Sequence, residues 1–307
     1  MVDQADPPEV TSNEDDISDT AFANIAHVLA ASTSTLRTLQ DPRNHQEAQA
    51  HPDAHLWDLA TQSEIQSLER MKTFVEVDEL PPGRKAIEAK PVYKTKYDAL
   101  GQVDRHKVRI VAKGYYQIPG IDFDDTFAPV VKLVSFQVAC AIAVHLGLYF
   151  DHLDVETAFL NGPLDVELYM QFPQGCGQYS GKIVRLLKSI YGLKQASRIW
   201  NNLLDAELAK LGYKRIHADY CIYIYRKGDI LCILAVYVDD MALLGNDRAA
   251  MADHKRLLGL RFKIKDLGPV KQILGIGINY DRENRTLKMY QTRYIEESLA
   301  HYGITNS

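Results

Sequence analysis

The chain has 307 residues, of which 46% are apolar and 24% are charged, and its formal net charge is −5. These proportions are typical of globular domains and exclude collagen-like, coiled-coil and wholly disordered chains. The four cysteines form no Cys-x-x-Cys pair, which argues against a disulfide-stapled secreted module and against a zinc finger.

The sequence contains no recognisable targeting or membrane segment. Its first residues carry no basic stretch leading into an apolar run, so no signal peptide is visible. The most continuous apolar stretch, 230–238, has nine residues, which is far too few to cross a bilayer. We therefore expect an intracellular protein, cytoplasmic or nuclear, with no membrane partner.

The charge is unevenly distributed along the chain. Residues 1–56 hold ten acids and two bases, whereas the remainder holds 30 acids and 33 bases. Because residues 1–56 are also poor in aromatic side chains, they predict a disordered acidic linker, with one apolar patch at 25–39 that could form a short helix. The stretch 84–113 holds nine bases and three acids, an excess that can bind a polyanion or form a solvated basic hairpin.

The globular part is predicted to begin near Trp57, with a helix that ends before the turn at 81–83. A hairpin follows, with strands at 92–97 and 107–113 and a turn at 98–101. The later elements are predicted from apolar periodicity in this order: helix 134–146, strands 148–155, 166–171 and 183–187, helix 194–211, strands 221–226, 230–238 and 241–244, helix 247–261, strand 271–280 and helix 293–302. This interleaving predicts an α+β chain with a mixed sheet.

Two adjacent carboxylates, Asp239 and Asp240, lie between two strongly apolar strands. Bare charges cannot be held in a sheet core, so this pair is predicted to lie at a tight turn on the edge of the sheet. Consecutive strand residues point to opposite faces, which argues against a shared role for the two acids. Turn acids that bond nearby backbone N–H groups are the plainer alternative.

A second apolar strand ends at Asp154. A lone acid at such a position is usually a helix N-cap or a loop residue. If its strand neighbours the one that precedes Asp239, however, the two carboxylates could bind two divalent cations, as in-line phosphoryl transfer requires. Oxygen ligands without nearby Cys or His favour magnesium over zinc.

Six blocks in the sequence together resemble the reverse transcriptases of copia-type long-terminal-repeat retrotransposons. They are RHKVRIVAKG (105–114), GIDFDDTFAPVVK (120–132), LDVETAFLNG (153–162), YGLKQASRIW (191–200), YVDD (237–240), and KDLG (265–268) with LG (274–275). One such block could occur by chance, but six in the family's order indicate membership. The resemblance covers about residues 57–307.

The resemblance implies a right-hand polymerase fold with an α/β palm. Residues 57–132, with parts of 160–215, correspond to the fingers and residues 133–290 to the palm. Residues 291–307 correspond to the start of a thumb-like region, so we expect the rest of the thumb and the ribonuclease H domain to be missing from this chain. The implied partners are an RNA or DNA template with its primer, dNTPs, and other Pol polyprotein segments; a virus-like particle in the cytoplasm is the implied compartment.

The resemblance also implies roles for individual residues. Asp154 and Asp239 correspond to the metal-binding pair, and Asp240 to the third catalytic acid beside them, which is assigned to the same metal site; the implied cofactors are two Mg²⁺ ions (or Mn²⁺). Phe159 corresponds to the ring that excludes a 2′-hydroxyl, although an ordinary core phenylalanine is an equal alternative. The other implied contacts are to the dNTP, by Gln195 and by Lys107 or Arg109 in an undecided register, and to the primer or template, by Tyr237, Leu274 and Gly275. A β-bulge is an equal explanation for Gly275.

Two positions depart from the family pattern. Pro91 stands where relatives have tryptophan, so the first strand of the fingers is expected to begin late or fray. Gln137 stands where relatives usually have arginine. A catalytically decayed relic that binds nucleic acid through its basic hairpin is therefore the alternative function. A nucleotide cyclase shares the two-metal geometry but would not be expected to carry the block at 191–200.

Overall fold

The computed structural model describes residues 40–97 and 102–304, and the side chains of Arg293 and Glu297 are not included. Most of the predicted acidic linker, its possible helix at 25–39 and the hairpin turn at 98–101 lie outside these ranges. From Pro42 onward the described chain forms one compact unit. Its helices are α1 (His45–Gln49), α2 (Ala54–Arg70), α3 (Leu133–Leu146), α4 (Ala196–Lys210), α5 (Arg248–Arg261) and α6 (Thr292–His301). None of them is long and apolar enough to span a membrane.

The first sheet has five strands in the order β1-β6-β5-β2-β3. They are β1 (Phe74–Glu76), β2 (Ala86–Tyr97), β3 (Val103–Ala112), β5 (Pro163–Gln171) and β6 (Ile183–Lys188). β2 alternates between buried and exposed residues along most of its length, which is the pattern of a strand with one covered face. Residues of α2, among them Ile65 and Leu68, join residues of this sheet in one apolar core.

The second sheet has six strands in the order β11-β4-β10-β9-β8-β7, all antiparallel. They are β4 (Tyr149–Val155), β7 (Lys214–Arg215), β8 (Ile222–Lys227), β9 (Ile230–Tyr237), β10 (Asp240–Gly245) and β11 (Ile264–Pro269). β9 and β10 are apolar on both faces because both faces are covered. Helices α4 and α5 pack on one face. Helix α3 and a small sheet of β12 (Gln272–Ile273), β13 (Ile276–Asp281) and β14 (Thr286–Tyr290) pack on the other.

The predicted α+β class with a mixed sheet is confirmed. Among the strand pairs of the described ranges, β2–β5 is parallel and the others are antiparallel. The globular part was predicted to start near Trp57, but helical structure already begins at His45. The small buried residue Ala48 joins Trp57 in a core cluster, which explains why this acidic segment is helical.

The structure corrects two strand predictions. β2 starts at Ala86 and continues through Pro91, so the late or frayed start expected from this proline is wrong. Beyond Glu88, β2 pairs with β3 alone, and proline is tolerated where one edge of a strand lies open. The single strand predicted at 271–280 is a hairpin, in which β12 and β13 are joined by a turn at Leu274 and Gly275.

Candidate active site

The pairing of β4 with β10 brings the three acids of the sequence analysis together. Asp154 and Asp240 are cross-strand partners, and such partners project from the same face of a sheet. The backbone N–H of Val155 donates to the backbone carbonyl of Asp239 at 2.9 Å. The two strand-end acids converge, but not through neighbouring strands: β10 lies between β4 and β9, the strand that precedes Asp239, and it is the turn leading into β10 that sets Asp239 beside the end of β4.

Asp239 lies in a two-residue turn that joins β9 to β10. Its predecessor Val238 has a φ of +57°, whereas Asp239 is not in the positive-φ region. This is the φ pattern of a type II′ hairpin turn, which normally takes glycine at its first central position. The tight turn predicted at this point is present, and it separates Asp239, in the turn, from Asp240, on the strand.

The electrostatics of the acids reflect their crowding. Burial raises the pKa of the Asp154 carboxyl, and the charges of Asp239 and Asp240 raise it further. Burial also raises the pKa of Asp239, with Asp240 adding to the effect, whereas Arg109 and Lys107 lower it. The acids thus repel one another, and a bound cation would relieve that repulsion.

Asp240 has a partner that the sequence analysis missed. His152 lies two residues before Asp154 on β4, and its Nε2 is 3.0 Å from Asp240 Oδ1. Strand alternation places residues 152 and 154 on one face, so the signal was present in the spacing. Within residues 40–97 and 102–304, no three His, Cys, Asp or Glu side chains form a ready-made metal site. Asp154 and Asp239, with hard carboxylate oxygens, fit Mg²⁺ or Mn²⁺ best.

The open face of the β2–β3 hairpin carries a row of cations. Strand alternation and cross-strand register place six of them on this face, and we call them the basic face: Lys90, Lys94, Lys96, Arg105, Lys107 and Arg109. Lys94 is opposite Lys107, and Lys96 is opposite Arg105. Like charges in directly opposite positions destabilise a hairpin, so this arrangement favours the binding of an anion.

Both candidate triphosphate ligands lie on this face. The charge of Lys107 lowers the pKa of both Asp154 and Asp239, and the charge of Arg109 lowers that of Asp239. The structure therefore does not decide which of the two cations would contact the triphosphate. Burial lowers the pKa of Lys107, and its cationic neighbours, Arg109 first among them, lower it further. A bound phosphate would offset that charge.

Glu64 on α2 is a second residue that the sequence analysis missed. It accepts a hydrogen bond from the N–H of Ile110 on the edge strand β3, at 3.4 Å. Burial raises the pKa of this carboxyl, whereas Arg109 and Lys107 lower it. Glu64 is therefore a half-buried carboxyl at the edge of β3, close enough to Arg109 and Lys107 for their charges to act on it. Its role depends on how α2 packs on β3, which no motif reveals.

Aromatic rings connect the basic face to the segment that follows Asp154. The guanidinium carbon of Arg109 lies 4.2 Å from the ring centroid of Tyr191, which in turn contacts Phe159 edge-to-face at 5.0 Å. The segment that carries Tyr191 lies directly against β3, and Gly192 permits this contact because a Cβ there would lie 2.1 Å from the backbone oxygen of Ala112. Phe159 is half-buried and packs against the apolar cores of both large sheets, as an ordinary core phenylalanine also would.

Gln195 has a different environment from the one that the resemblance implied. It is fully buried at the start of α4, where its amide donates to the backbone oxygen of Asp122 and accepts from the side chain of Gln117, both at 2.9 Å. Its side-chain hydrogen bonds anchor the loop after β3, so contact with a nucleotide would require rearrangement. Its position in the structure is that of a structural link.

The three implied primer or template residues lie in two places. Tyr237 is exposed and is the cross-strand partner of Asp240, directly beside the acids. Leu274 and Gly275 form the β12–β13 turn with φ values of +56° and +73°. They are therefore neither a continuous strand nor a bulge, because this is the φ pattern of a type I′ turn.

Comparisons with known proteins give a consistent result. A family model described as "Reverse transcriptase (RNA-dependent DNA polymerase)" matches residues 71–307. The Retrovirus-related Pol polyprotein from transposon TNT 1-94 of Nicotiana tabacum is 39% identical over 272 residues, which are 87% of this chain and 20% of the relative. That from transposon RE2 of Arabidopsis thaliana is 34% identical over 246 residues, which are 80% of this chain and 17% of the relative. The chain thus spans about one fifth of the length of these relatives.

Two solved telomerase structures align with this chain. Apo telomerase from Candida Tropicalis aligns with a TM-score of 0.43 at 9% identity, covering 81% of this chain and 56% of that one. The same telomerase truncated from its C-terminal domain aligns with a TM-score of 0.40 at 9% identity, covering 77% of this chain and 60% of that one.

Proposed function

Because the chain belongs to the reverse transcriptase (RNA-dependent DNA polymerase) family, and within it to the copia-type domains of Pol polyproteins, we propose that it extends primers. In this proposal it adds dNTPs to a primer 3′-hydroxyl, directed by an RNA or DNA template, as one segment of a longer Pol product. The observation that carries the proposal is the β4–β10 pairing, which sets Asp154 beside the turn that holds Asp239. The first sheet with α2 then serves as the fingers, and the second as the palm.

The proposed metal ligands are Asp154 and Asp239, whose pKa values are raised by burial and further by the neighbouring acids. Two Mg²⁺ ions, when bound, lower the pKa of the attacking hydroxyl and stabilise charge on the phosphates. Asp240 contributes negative potential, and one of its carboxylate oxygens is in contact with His152.

The basic face supplies the cations for the triphosphate. Lys107 and Arg109 are the cations of the basic face whose charges lower the pKa of Asp239, so they are the proposed triphosphate ligands. A preorganised cation in a partly buried site stabilises developing phosphate charge better than a mobile ion in water. Tyr237, exposed beside Asp240, is the proposed contact for the primer end.

Phe159 is the proposed floor for the nucleotide sugar. Its ring is held edge-to-face by Tyr191, and the hydroxyl of Ser189 donates to its backbone carbonyl at 2.6 Å. A fixed ring edge rejects a 2′-hydroxyl by steric overlap and needs no polar group. This position supports selection of dNTPs over rNTPs.

Primer extension on an RNA template tests the proposal, with Mg²⁺ and all four dNTPs. Asp239→Asn is expected to abolish extension because it removes one of the two charges that hold the ions. Asp253→Asn is the matched control, since Asp253 is an exposed acid on α5 that pairs with Arg256. Primer–template binding without extension by the wild-type chain would instead support the nucleic-acid-binding alternative.

A further inference from the structure

The turn that carries Asp239 is held in an unfavourable backbone conformation. Val238 is β-branched and yet has a φ of +57°, a region that such residues rarely occupy. A strained residue persists only where its surroundings over-determine its conformation. The groups that hold this turn are therefore part of the site.

Two hydrogen bonds fix the turn, one on each of its residues. The indole N–H of Trp200 on α4 donates to the backbone carbonyl of Val238 at 2.7 Å. The backbone N–H of Val155, next to Asp154, donates to the carbonyl of Asp239 at 2.9 Å. The first bond thus comes from a helix side chain, and the second comes from the strand that carries the other acid.

Trp200 is well placed to act as a rigid anchor. It is 2% exposed and belongs to the core between α4, α5 and the second sheet. Its ring contacts that of Phe262 edge-to-face at 5.0 Å. A buried, packed indole cannot follow a moving loop, so the position of the Val238 carbonyl is set by the core.

We propose that Trp200 is a positioning residue, which clamps Val238 in its positive-φ conformation and thereby holds Asp239 next to Asp154. This inference rests on the proposed function for its effect on synthesis, but its structural part is independent of it. Without the indole N–H, Val238 relaxes to negative φ, the peptide that follows it rotates, and the Val155–Asp239 bond loosens.

The test uses Trp200→Phe, which keeps an aromatic ring and removes the donor. Leaving the Val238 carbonyl without its partner is expected to lower kcat for primer extension about tenfold, with little change in KM for the dNTP. The Mg²⁺ concentration that gives half-maximal activity is expected to rise several-fold. Hydrogen exchange of the Val155 amide in metal-free protein is expected to become about tenfold faster.

Val238→Gly in the Trp200→Phe background provides the rescue. Glycine adopts positive φ without a steric penalty, so the turn no longer needs the clamp. The double variant is expected to recover most of the lost kcat and most of the protection of the Val155 amide. A merely structural role for Trp200 would not be rescued by a substitution in the turn.

Leu204→Ala is the matched control, because Leu204 is fully buried in the same core and on the same helix. It is expected to lower Tm without changing the Mg²⁺ requirement, and Val238→Gly should not rescue it. Trp200→Leu, whose side chain has no hydrogen-bond donor, serves as a second variant should the phenylalanine variant not fold.

The proposal is overturned if either tryptophan variant folds and exchanges the Val155 amide at the wild-type rate. It is also overturned if Val238→Gly restores neither exchange protection nor kcat. If the wild-type chain extends no primer but the exchange results are as expected, the clamp is supported and the proposed function fails.

Discussion

Asp154 and Asp239 place two partly buried carboxylates side by side, and this arrangement costs stability when no cation is bound. Burial and mutual repulsion raise the pKa of both groups above the ordinary value of 3.8. The folded state therefore binds protons more tightly than the unfolded state does. The destabilisation is fully present above the raised pKa values and disappears as the pH falls through them.

Asp239→Asn is accordingly expected to stabilise the metal-free protein. Thermal unfolding at pH 8 in a chelator should show a Tm higher by about 2–4 °C, and the difference from wild type should shrink as the pH falls. Excess Mg²⁺ should raise the Tm of the wild type and leave that of the variant unchanged. Asp253→Asn, the exposed control, should behave like the wild type throughout. A lower Tm for Asp239→Asn in the chelator would contradict the repulsion argument.

At the level of single residues, the sequence analysis found the site residues that lie in contiguous motifs. It missed the residues whose contacts are made with a different helix or strand. Asp154 and Asp239 each end an apolar strand, so their pattern is local. His152 and Glu64 gain their significance from β4–β10 register and from the packing of α2 on β3. Gln195 lies in a recognised motif, but its buried bonds depend on a distant loop.

Glycine stabilises a turn that needs positive φ but destabilises a helix. Two uncrowded glycines in this chain, one in a turn and one in a helix, allow these two effects to be measured. Gly275 lies in the β12–β13 turn with a φ of +73°, and Gly259 lies on the exposed side of α5. A Cβ added at either position meets no atom within 4 Å. Any effect of alanine at these positions therefore comes from the backbone and not from crowding.

Alanine at the two positions is expected to change stability in opposite directions. Gly275→Ala should lower the free energy of unfolding by about 1 kcal/mol, because an L side chain disfavours positive φ. Gly259→Ala should raise it by about 0.5–1 kcal/mol, because glycine is a poor helix former. Urea unfolding measures both, with an unchanged m-value as the check for two-state behaviour. Changes of the same sign would contradict the assigned conformations.

At the level of elements, apolar periodicity predicted most helices and strands and failed where polar or special residues carry the structure. Helix α3 and the β9–β10 hairpin were predicted because each is formed by a long, nearly continuous apolar segment. β11 was not predicted, since it contains Gly268 and Pro269 and owes its place to pairing with β4. The turn at Leu274 and Gly275 was missed because its first residue, leucine, rarely takes positive φ.

On the scale of the whole molecule, a net charge of −5 coexists with a strongly basic surface. The sequence indicated this asymmetry through the excess of bases at 84–113. Only strand register, however, shows that Lys90, Lys96 and four further cations share the open face of the β2–β3 hairpin. The buried face of the same hairpin includes Tyr93 and Val108, which cluster with Trp57 of α2. One face of the hairpin therefore packs in the core, and the other face carries the cations.

The basic face predicts how nucleic-acid binding responds to salt. Each phosphate neutralised by a cation releases counterions, so removing cations that contact phosphates should reduce the salt dependence of binding. Lys90→Gln with Lys96→Gln is expected to make the slope of log K against log salt concentration shallower by about 1–2. Fluorescence anisotropy with a labelled primer–template over a series of KCl concentrations measures this slope. Lys210→Gln with Arg256→Gln removes two helix-surface cations that already pair with acids, and should leave the slope unchanged. Equal slopes for both double variants would show that the polyanion does not bind this face.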